Sequence, residues 1–136
     1  MKLFVDTWGW VAVADRRDPD YEAATEIFRR ARRSGGAITS NFILDETFTL
    51  LFKRRPFEEA WHFTTDVVRS PFIDIQEVTS ARFSRTIDLR KSFSDKPKIS
   101  FTDLSTIAIM VELGITDILT ADRHFTHVGL GFRALP

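Results

Sequence analysis

Short apolar runs alternate with longer amphipathic segments along the chain. Apolar runs of about four to eight residues are typical of strands, whereas apolar side chains recurring about every 3.6 residues are typical of helices. This pattern predicts four strands, at residues 2–5, 37–40, 71–78 and 117–121. The predicted helices cover residues 7–14, 21–33, 42–53, 56–69, 80–92 and 102–113.

The order of these segments predicts the architecture. Strands that alternate with helices form βαβ units, with right-handed crossovers and a parallel sheet covered on both faces. We therefore expect an α/β fold with a mainly parallel sheet. Binding sites in such sheets lie beyond the carboxyl ends of the strands, where the strand order reverses. Asp6 follows the first predicted strand and Asp122 follows the fourth, so their carboxylates converge if these strands are neighbours.

A third acid, Glu46, lies within a predicted helix. The i, i+4 geometry of residues 42–53 places Phe42, Glu46 and Leu50 on one apolar face, which is predicted to point towards the core. Asp45 is rotated by about 100° from this face and is predicted either to lie outside the ligands of the site or to point to solvent. A carboxylate in the middle of a helix has no capping role, so Glu46 is predicted to serve a site.

A fourth acid, Asp103, shares a helical face with Ile107 and Met110 and is predicted to point inward. A buried carboxylate is costly unless it is paired, hydrogen-bonded or bound to metal. Converging carboxylates suit a divalent cation, which can activate water to hydrolyse a phosphodiester. Structural explanations remain open for three of the acids: Asp6 begins a turn, Asp103 complements a helix N-terminus and Asp122 forms an Asx-turn.

The composition narrows the class of protein and the kind of metal. With 136 residues, 43% of them hydrophobic and 28% charged, the chain is predicted to form a single domain over residues 1–136. It contains no cysteine, which excludes disulfides and thiolate zinc sites but leaves oxygen-ligated Mg²⁺ open. No apolar run reaches the roughly 18 residues of a membrane span, so we expect a cytoplasmic protein.

The charge is balanced overall, with 19 basic and 19 acidic residues, so any binding of nucleic acid depends on local clusters. One such cluster comprises Lys53, Arg54 and Arg55, whose side chains can contact phosphates. The same run is also consistent with an ordinary solvated helix face. The first alternative predicts that neutralising the three residues reduces the salt dependence of RNA binding.

A family resemblance rests on the order of four motifs: Asp6-Thr7, Glu46, Ser100-Phe101-Thr102-Asp103 and Leu119-Thr120-Ala121-Asp122-Arg123-His124-Phe125. In this order, and over nearly its whole length, the chain resembles the PIN-domain ribonucleases, and among them the VapC-like toxins of type II toxin-antitoxin pairs. The resemblance implies a PIN-like three-layer α/β/α sandwich with a sheet of four to five strands. It also implies a Mg²⁺- or Mn²⁺-dependent endoribonuclease, a homodimer and a protein antitoxin.

The resemblance further implies roles for individual residues. The catalytic acids would be Asp6, Glu46, Asp103 and Asp122, of which the three aspartates would ligate the metal. Thr7 and Thr120 would support the metal waters, and Thr102 would either cap its helix or contact a phosphate. Asp95 would either lie near the metal or belong to a plain surface loop. We expect His124 to serve packing or substrate contact, since no further His or Cys completes a zinc site.

Aromatic residues near the first and third helices have two interpretations. Trp8, Trp10 and Phe42 could stack on RNA bases or line a groove, but such residues more often belong to the core. By the resemblance, the C-terminal tail of an antitoxin would pack into a groove around Trp8, Trp10 and Phe28 and insert an arginine among the acids.

Three other functions remain open from the sequence. An RNA-maturation nuclease without an antitoxin would carry the same acids. A catalytically silent binding module could use the same fold, although the four intact acids argue against it. Phosphoryl transfer through an aspartyl intermediate at Asp6 fits poorly, because Thr7-Trp8-Gly9-Trp10 supplies neither a second acid nor a glycine-rich phosphate loop.

Overall fold

The computed structural model describes residues 1–136, which form five strands and seven helices. The strands are β1 (Leu3–Val5), β2 (Ala37–Ser40), β3 (Ile73–Gln76), β4 (Asp117–Leu119) and β5 (Arg133–Leu135). The helices are α1 (Thr7–Ala14), α2 (Tyr21–Ser34), α3 (Asn41–Arg54), α4 (Phe57–Arg69), α5 (Ser80–Ser92), α6 (Phe101–Leu113) and α7 (His124–His127). No helix has the length and apolar character needed to cross a membrane.

All five strands are parallel and lie in the order β3-β2-β1-β4-β5. Because parallel crossovers are right-handed, connections that run in the same direction along the sheet lie on the same face. The connections from β1 to β2 and from β2 to β3 therefore place α1 to α4 on one face, and the return from β3 to β4 places α5 and α6 on the other. This arrangement confirms the predicted α/β fold and makes β1 and β4 neighbours at the point where the order reverses.

The core follows from burial on both faces of the sheet. Leu3, Phe4 and Val5 of β1 are completely buried, as are Ile118 and Leu119 of β4. The edge strand β3 is less buried than β1 and β4, and it covers residues 73–76 rather than the predicted 71–78. The short elements β5 and α7 were not predicted, because three or four residues are too few to display a periodicity.

The predicted orientation of α3 was wrong by about a quarter turn. Glu46 is exposed and Phe42 and Leu50 are only half-buried, so their face does not point towards the core. The buried residues of this helix are instead Ile43, Leu44, Thr47 and Leu51. The apolar residues of α3 cover more than half of its circumference, and the packing of the neighbouring helices selects which of them are buried. Asp45 is exposed, as predicted.

Gly9 permits α1 to lie directly against the end of β4. A Cβ at this position would lie 2.8 Å from the carbonyl oxygen of Leu119 and 2.9 Å from its Cγ. We expect Gly9→Ala to destabilise the fold by about 1–2 kcal/mol, because overpacking outweighs the gain in helix propensity. Urea denaturation of both proteins measures this difference, and a variant as stable as the wild type would contradict the close approach.

Candidate active site

Asp6 lies at the carboxyl end of β1, next to the end of β4. Val5 pairs with Leu119 in the parallel register, so Asp6 and Thr120 leave the sheet side by side. The Thr120 hydroxyl donates to Asp6 Oδ2 at 2.8 Å, and both residues are buried. The adjacent pairing of β1 and β4 therefore holds the Asp6 carboxylate in one orientation.

The turn after β4 presents Asp122 beside this pair. Its backbone N–H donates to Thr120 Oγ1 at 3.0 Å, which links it to Asp6 through one hydroxyl. Asp122 Oδ1 in turn accepts the backbone N–H of His124 at 2.8 Å and lies 3.1 Å from His124 Nδ1. This Asx-turn fixes the Asp122 carboxylate, so the structural explanation of this acid and its place in a site are compatible.

Asp103 approaches from the first turn of α6. Ser100 is the N-cap of this helix, and its hydroxyl accepts the backbone N–H of Asp103 at 3.0 Å. Ligand atoms of Asp103, Asp122 and His124 lie within 4.8 Å of one another, which is close enough for a single cation to contact all three. Two aspartates from distant parts of the chain therefore meet at the carboxyl edge of the sheet.

Burial and mutual repulsion raise the pKa of two of these carboxyl groups. The pKa of Asp6 is raised from 3.8 to about 6, chiefly by burial and also by the charges of Glu46 and Asp122, while the hydrogen bond from Thr120 lowers it. The pKa of Asp103 is raised to about 7, chiefly by burial and also by repulsion from Asp6 and Asp122. The four acids thus act on one another electrostatically, and none of them forms an ion pair with Lys or Arg.

Glu46 reaches this group from the exposed side of α3. It lines an open cavity of about 670 Å³ together with Phe42, Asp45, Thr49, Leu50 and Thr102. The charge of Glu46 raises the pKa of Asp6, whereas Asp45, one residue earlier, is not among the causes of that shift. Glu46 is therefore near enough to act on Asp6 electrostatically, and its role as a catalytic acid stays a prediction, whereas its predicted burial was wrong.

The three threonines singled out from the sequence have different contacts. Thr120 contacts Asp6 directly, while Thr7 is buried and accepts a hydrogen bond from Thr47 Oγ1 at 3.3 Å. Thr102 does not cap α6, because Ser100 does so; its side chain lines the cavity beside Glu46. The capping role predicted for Thr102 was wrong, and its phosphate contact stays a prediction.

Asp95 does not join the group of acids. It is exposed and its carboxylate pairs with Lys96 at 2.9 Å, which lowers the pKa of Asp95. His124, by contrast, lies closer to the acids than expected. A histidine two residues after an aspartate, in a tight turn following a strand, is the signal in the sequence that could have placed it there.

The aromatic and basic candidates divide between core and surface. Trp10 is buried and its Nε1 donates to Thr39 Oγ1 at 3.1 Å, so this ring cannot stack on a nucleotide. Arg55 pairs with Asp15, whereas Lys53 and Arg54 are exposed and form no ion pair. Trp8 and Phe42 are half-buried.

The raised pKa values predict how stability depends on pH in the absence of metal. Between about pH 4 and pH 7 the folded chain retains protons on Asp6 and Asp103 that the unfolded chain releases. The free energy of unfolding should therefore fall as the pH rises through this window, by about 2–3 kcal/mol for Asp6 alone.

Urea denaturation in EDTA at pH 5 and pH 7.5 measures this loss. The Asp6→Asn variant should lose less stability over the window than the wild type, and the exposed-acid control Asp45→Asn should behave like the wild type. An increase in the stability of the wild type with pH would contradict the prediction.

Comparison with known proteins identifies the family of the chain. The model of the PIN domain family matches residues 3–130. The 23S rRNA-specific endonuclease VapC20 of Mycobacterium tuberculosis is 28% identical over 127 residues, which cover 93% of this chain and 94% of that protein.

Two solved structures are similar along the whole fold. The crystal structure of Mycobacterium tuberculosis VapC20, a sarcin-ricin loop cleaving toxin, has a TM-score of 0.81 at 25% identity, covering 93% of this chain and 95% of that one. VapBC2 from Rickettsia felis, bound to a DNA fragment from their promoter, shares the fold with a TM-score of 0.78 at 17% identity, covering 100% of both chains. The resemblance inferred from the motifs is confirmed, and the chain belongs to the PIN domain family.

Proposed function

We propose that residues 1–136 form a single nuclease domain, a metal-dependent endoribonuclease whose catalytic acids are Asp6, Glu46, Asp103 and Asp122. The observation that carries this proposal is the convergence of Asp6, Asp103 and Asp122 at the carboxyl edge of the sheet, where no Lys or Arg pairs with them. The raised pKa of Asp6 and of Asp103 supports it. A fold maintains such repulsion at a cost in stability, and a bound cation removes the cost. Hydrolysis of a nucleic-acid backbone can use such a cation to activate water, and it then needs the acids to hold the cation.

The residues present fit a hard divalent cation. Asp6, Asp103 and Asp122 offer carboxylate oxygens, the ligand type that Mg²⁺ and Mn²⁺ prefer, and there is no thiol to favour zinc. We assign these three aspartates as the ligands. When bound, such an ion supplies an acidified water and neutralises negative charge on the phosphodiester.

The chain itself orients the reacting groups. Thr120 fixes the Asp6 carboxylate, and the backbone N–H of His124 fixes Asp122. Glu46 lies on the solvent side of these residues, where its carboxylate can accept a proton from the attacking water. Thr102, beside Glu46 in the same cavity, can donate to the phosphate.

The biological role we propose is that of a toxin held by a protein antitoxin. The similarity to VapC20, an rRNA endonuclease, over 93% of this chain supports RNA as the substrate and a toxin as the role. The shared fold with the toxin-antitoxin protein VapBC2 is consistent with this assignment. A homodimer and a cytoplasmic location belong to the same proposal.

Away from the acids, the C-terminal end of α3 would contribute to RNA binding. Lys53 lies about two turns beyond Glu46 on the same face of the helix, roughly 10 Å further along its axis. Lys53 and Arg54 are exposed and available to phosphates, whereas Arg55 is occupied by Asp15. We therefore keep Lys53 and Arg54 as the RNA contacts of this cluster.

Cleavage of a mixed RNA pool tests the proposal. The purified chain should cleave RNA in Mn²⁺ or Mg²⁺ and lose at least about 100-fold in rate in EDTA, because the acids alone repel the phosphodiester. A water nucleophile leaves 3′-hydroxyl and 5′-phosphate ends. Undiminished cleavage in EDTA, or products ending in a 2′,3′-cyclic phosphate, would contradict a metal-dependent hydrolysis.

A further inference from the structure

The loop between α5 and α6 is held by one side chain, Arg90. Its guanidinium donates to the carbonyl oxygens of Phe93 at 2.7 Å, Lys96 at 2.7 Å and Ile99 at 2.6 Å. The loop makes two successive turns, in which the N–H of Lys96 donates to Phe93 and the N–H of Ile99 donates to Lys96. Arginine presents its donors in a rigid fork, so these bonds impose a fixed loop shape.

The loop and α7 together enclose a cavity beside the acidic group. The cavity has a volume of about 330 Å³, and its lining residues are Asp95, Lys96, Pro97, Lys98, Ile99, His124 and His127. His124 belongs to both places, since its Nδ1 lies 3.1 Å from Asp122 Oδ1. The cavity therefore adjoins the proposed catalytic acids without containing any of them.

This cavity is lined mainly by basic residues, whereas the adjoining group of proposed catalytic acids is negatively charged. It contains two lysines and two imidazoles but only one carboxylate, and that carboxylate, on Asp95, pairs with Lys96. Lys98 is exposed and forms no ion pair. Cations and N–H donors that converge in a concave site next to a phosphodiester-cleaving centre suit a phosphate group.

We propose that this cavity binds a backbone phosphate of the RNA, adjacent to the phosphate that is cleaved. Lys98 and His127 would be the contacts, and Arg90 would be a positioning residue that holds the loop in the binding shape. The inference rests on the proposed ribonuclease function. Its physical basis is that four carboxylates repel a polyanion, so attraction has to come from residues beside them.

The double variant Lys98→Gln/His127→Gln tests the phosphate contacts. Binding is measured in EDTA by the fluorescence anisotropy of a 5′-labelled single-stranded RNA, and cleavage of the same RNA is measured in Mn²⁺. We expect the Kd and the KM to rise at least about fivefold, the kcat to change less than about threefold, and the salt slope of binding to decrease by about one.

The matched control is Lys2→Gln. Lys2 is exposed and precedes β1, so it lies at the end of the sheet opposite the acids. Lys2→Gln therefore changes the charge about as much as the test variant does, but far from the cavity. This control should leave the Kd, the KM and the salt slope unchanged. An equal effect of Lys2→Gln would mean that only net charge matters, and the phosphate site would be wrong.

Arg90→Lys tests the positioning role. Lysine keeps the charge, but its three donors share one nitrogen and cannot replace the two guanidinium nitrogens that reach the three carbonyls. The KM should therefore rise in the same direction as for the double variant, while the kcat remains near that of the wild type. A lowered Tm with an unchanged KM would show that Arg90 only stabilises the fold, and the positioning role would be overturned.

The outcomes separate this inference from the proposed function. Wild-type cleavage together with an unchanged Kd and KM in the double variant would overturn the phosphate site and leave the nuclease standing. No cleavage by the wild type in any metal would overturn the nuclease, and the anisotropy measurement would still decide whether the cavity binds RNA. If the double variant bound RNA normally but no longer bound the antitoxin, the cavity would be a site for a protein carboxylate, and the inference would be overturned.

Discussion

Asp103→Asn is expected to reduce RNA cleavage at least about 100-fold while the protein remains folded. The substitution removes a charge at nearly constant volume from a position where Asp6, Asp122 and burial all raise the pKa of the carboxyl group. The free energy of unfolding in EDTA should hold or rise, since one source of repulsion is gone. Cleavage rates, circular dichroism and urea denaturation measure the three effects together.

The other three acids should behave in the same way, as Asp6→Asn, Glu46→Gln and Asp122→Asn. Asp45→Asn is the matched control, because Asp45 is exposed beside Glu46 and lines the same cavity. It should keep most of the activity. Retained cleavage in any two of the four variants would exclude this set of catalytic acids, and an inactive Asp45→Asn with an active Glu46→Gln would exchange the roles of the two α3 residues.

The second large effect is expected from the antitoxin that the proposed toxin role implies. An arginine in its C-terminal tail can satisfy two carboxylates of the site at once and occupy the place of the cation. An apolar stretch of the tail would pack against α1, α2 and α4, where Trp10, Phe28 and Phe63 line a cavity of about 340 Å³. Trp10 and Phe28 meet edge to face at 5.7 Å, but Trp8 lies outside this cavity, unlike in our expectation from the sequence.

Titration of Mn²⁺ into the chain alone and into its complex with the antitoxin tests this mechanism. Calorimetry should show metal affinity reduced at least about tenfold in the complex, a coupling of about 1.4 kcal/mol, and cleavage should be suppressed. A tail variant in which the arginine is replaced by glutamine is the control and should restore metal binding. Equal metal affinity in both states would exclude the arginine plug while leaving the nuclease assignment in place.

Much of the fold followed from local patterns. The bounds of β1, β2 and the first six helices agree with the predictions to within about two residues, because each element carries its own periodicity and its own end signals, such as Asp18-Pro19-Asp20 before α2 and Gly114 after α6. The position of Asp6 and Asp122 beyond the carboxyl ends of β1 and β4 was also visible, since each follows an apolar run, although β4 ends at Leu119 rather than at the predicted Ala121.

The orientation of α3 could not be predicted in the same way. Its apolar residues lie on several sides of the helix, so the periodicity of the helix allows more than one buried face, and contacts with α1, α4 and α6 decide between them. Glu46 was identified from its predicted burial, which proved wrong. Its effect on the pKa of Asp6 depends instead on how α3 is placed relative to β1.

By itself the sequence therefore determined four of the five strands, the first six helices, the parallel sheet and the acids that follow β1 and β4. Only the tertiary structure decided that Asp103 lies beside Asp122 and His124, that His124 and Lys98 line one cavity, and that Arg55 is occupied by Asp15. The physical reason is the range of the interactions. Periodicity and capping act within a few residues, whereas ion pairs and shared cavities depend on where elements far apart in the chain are packed.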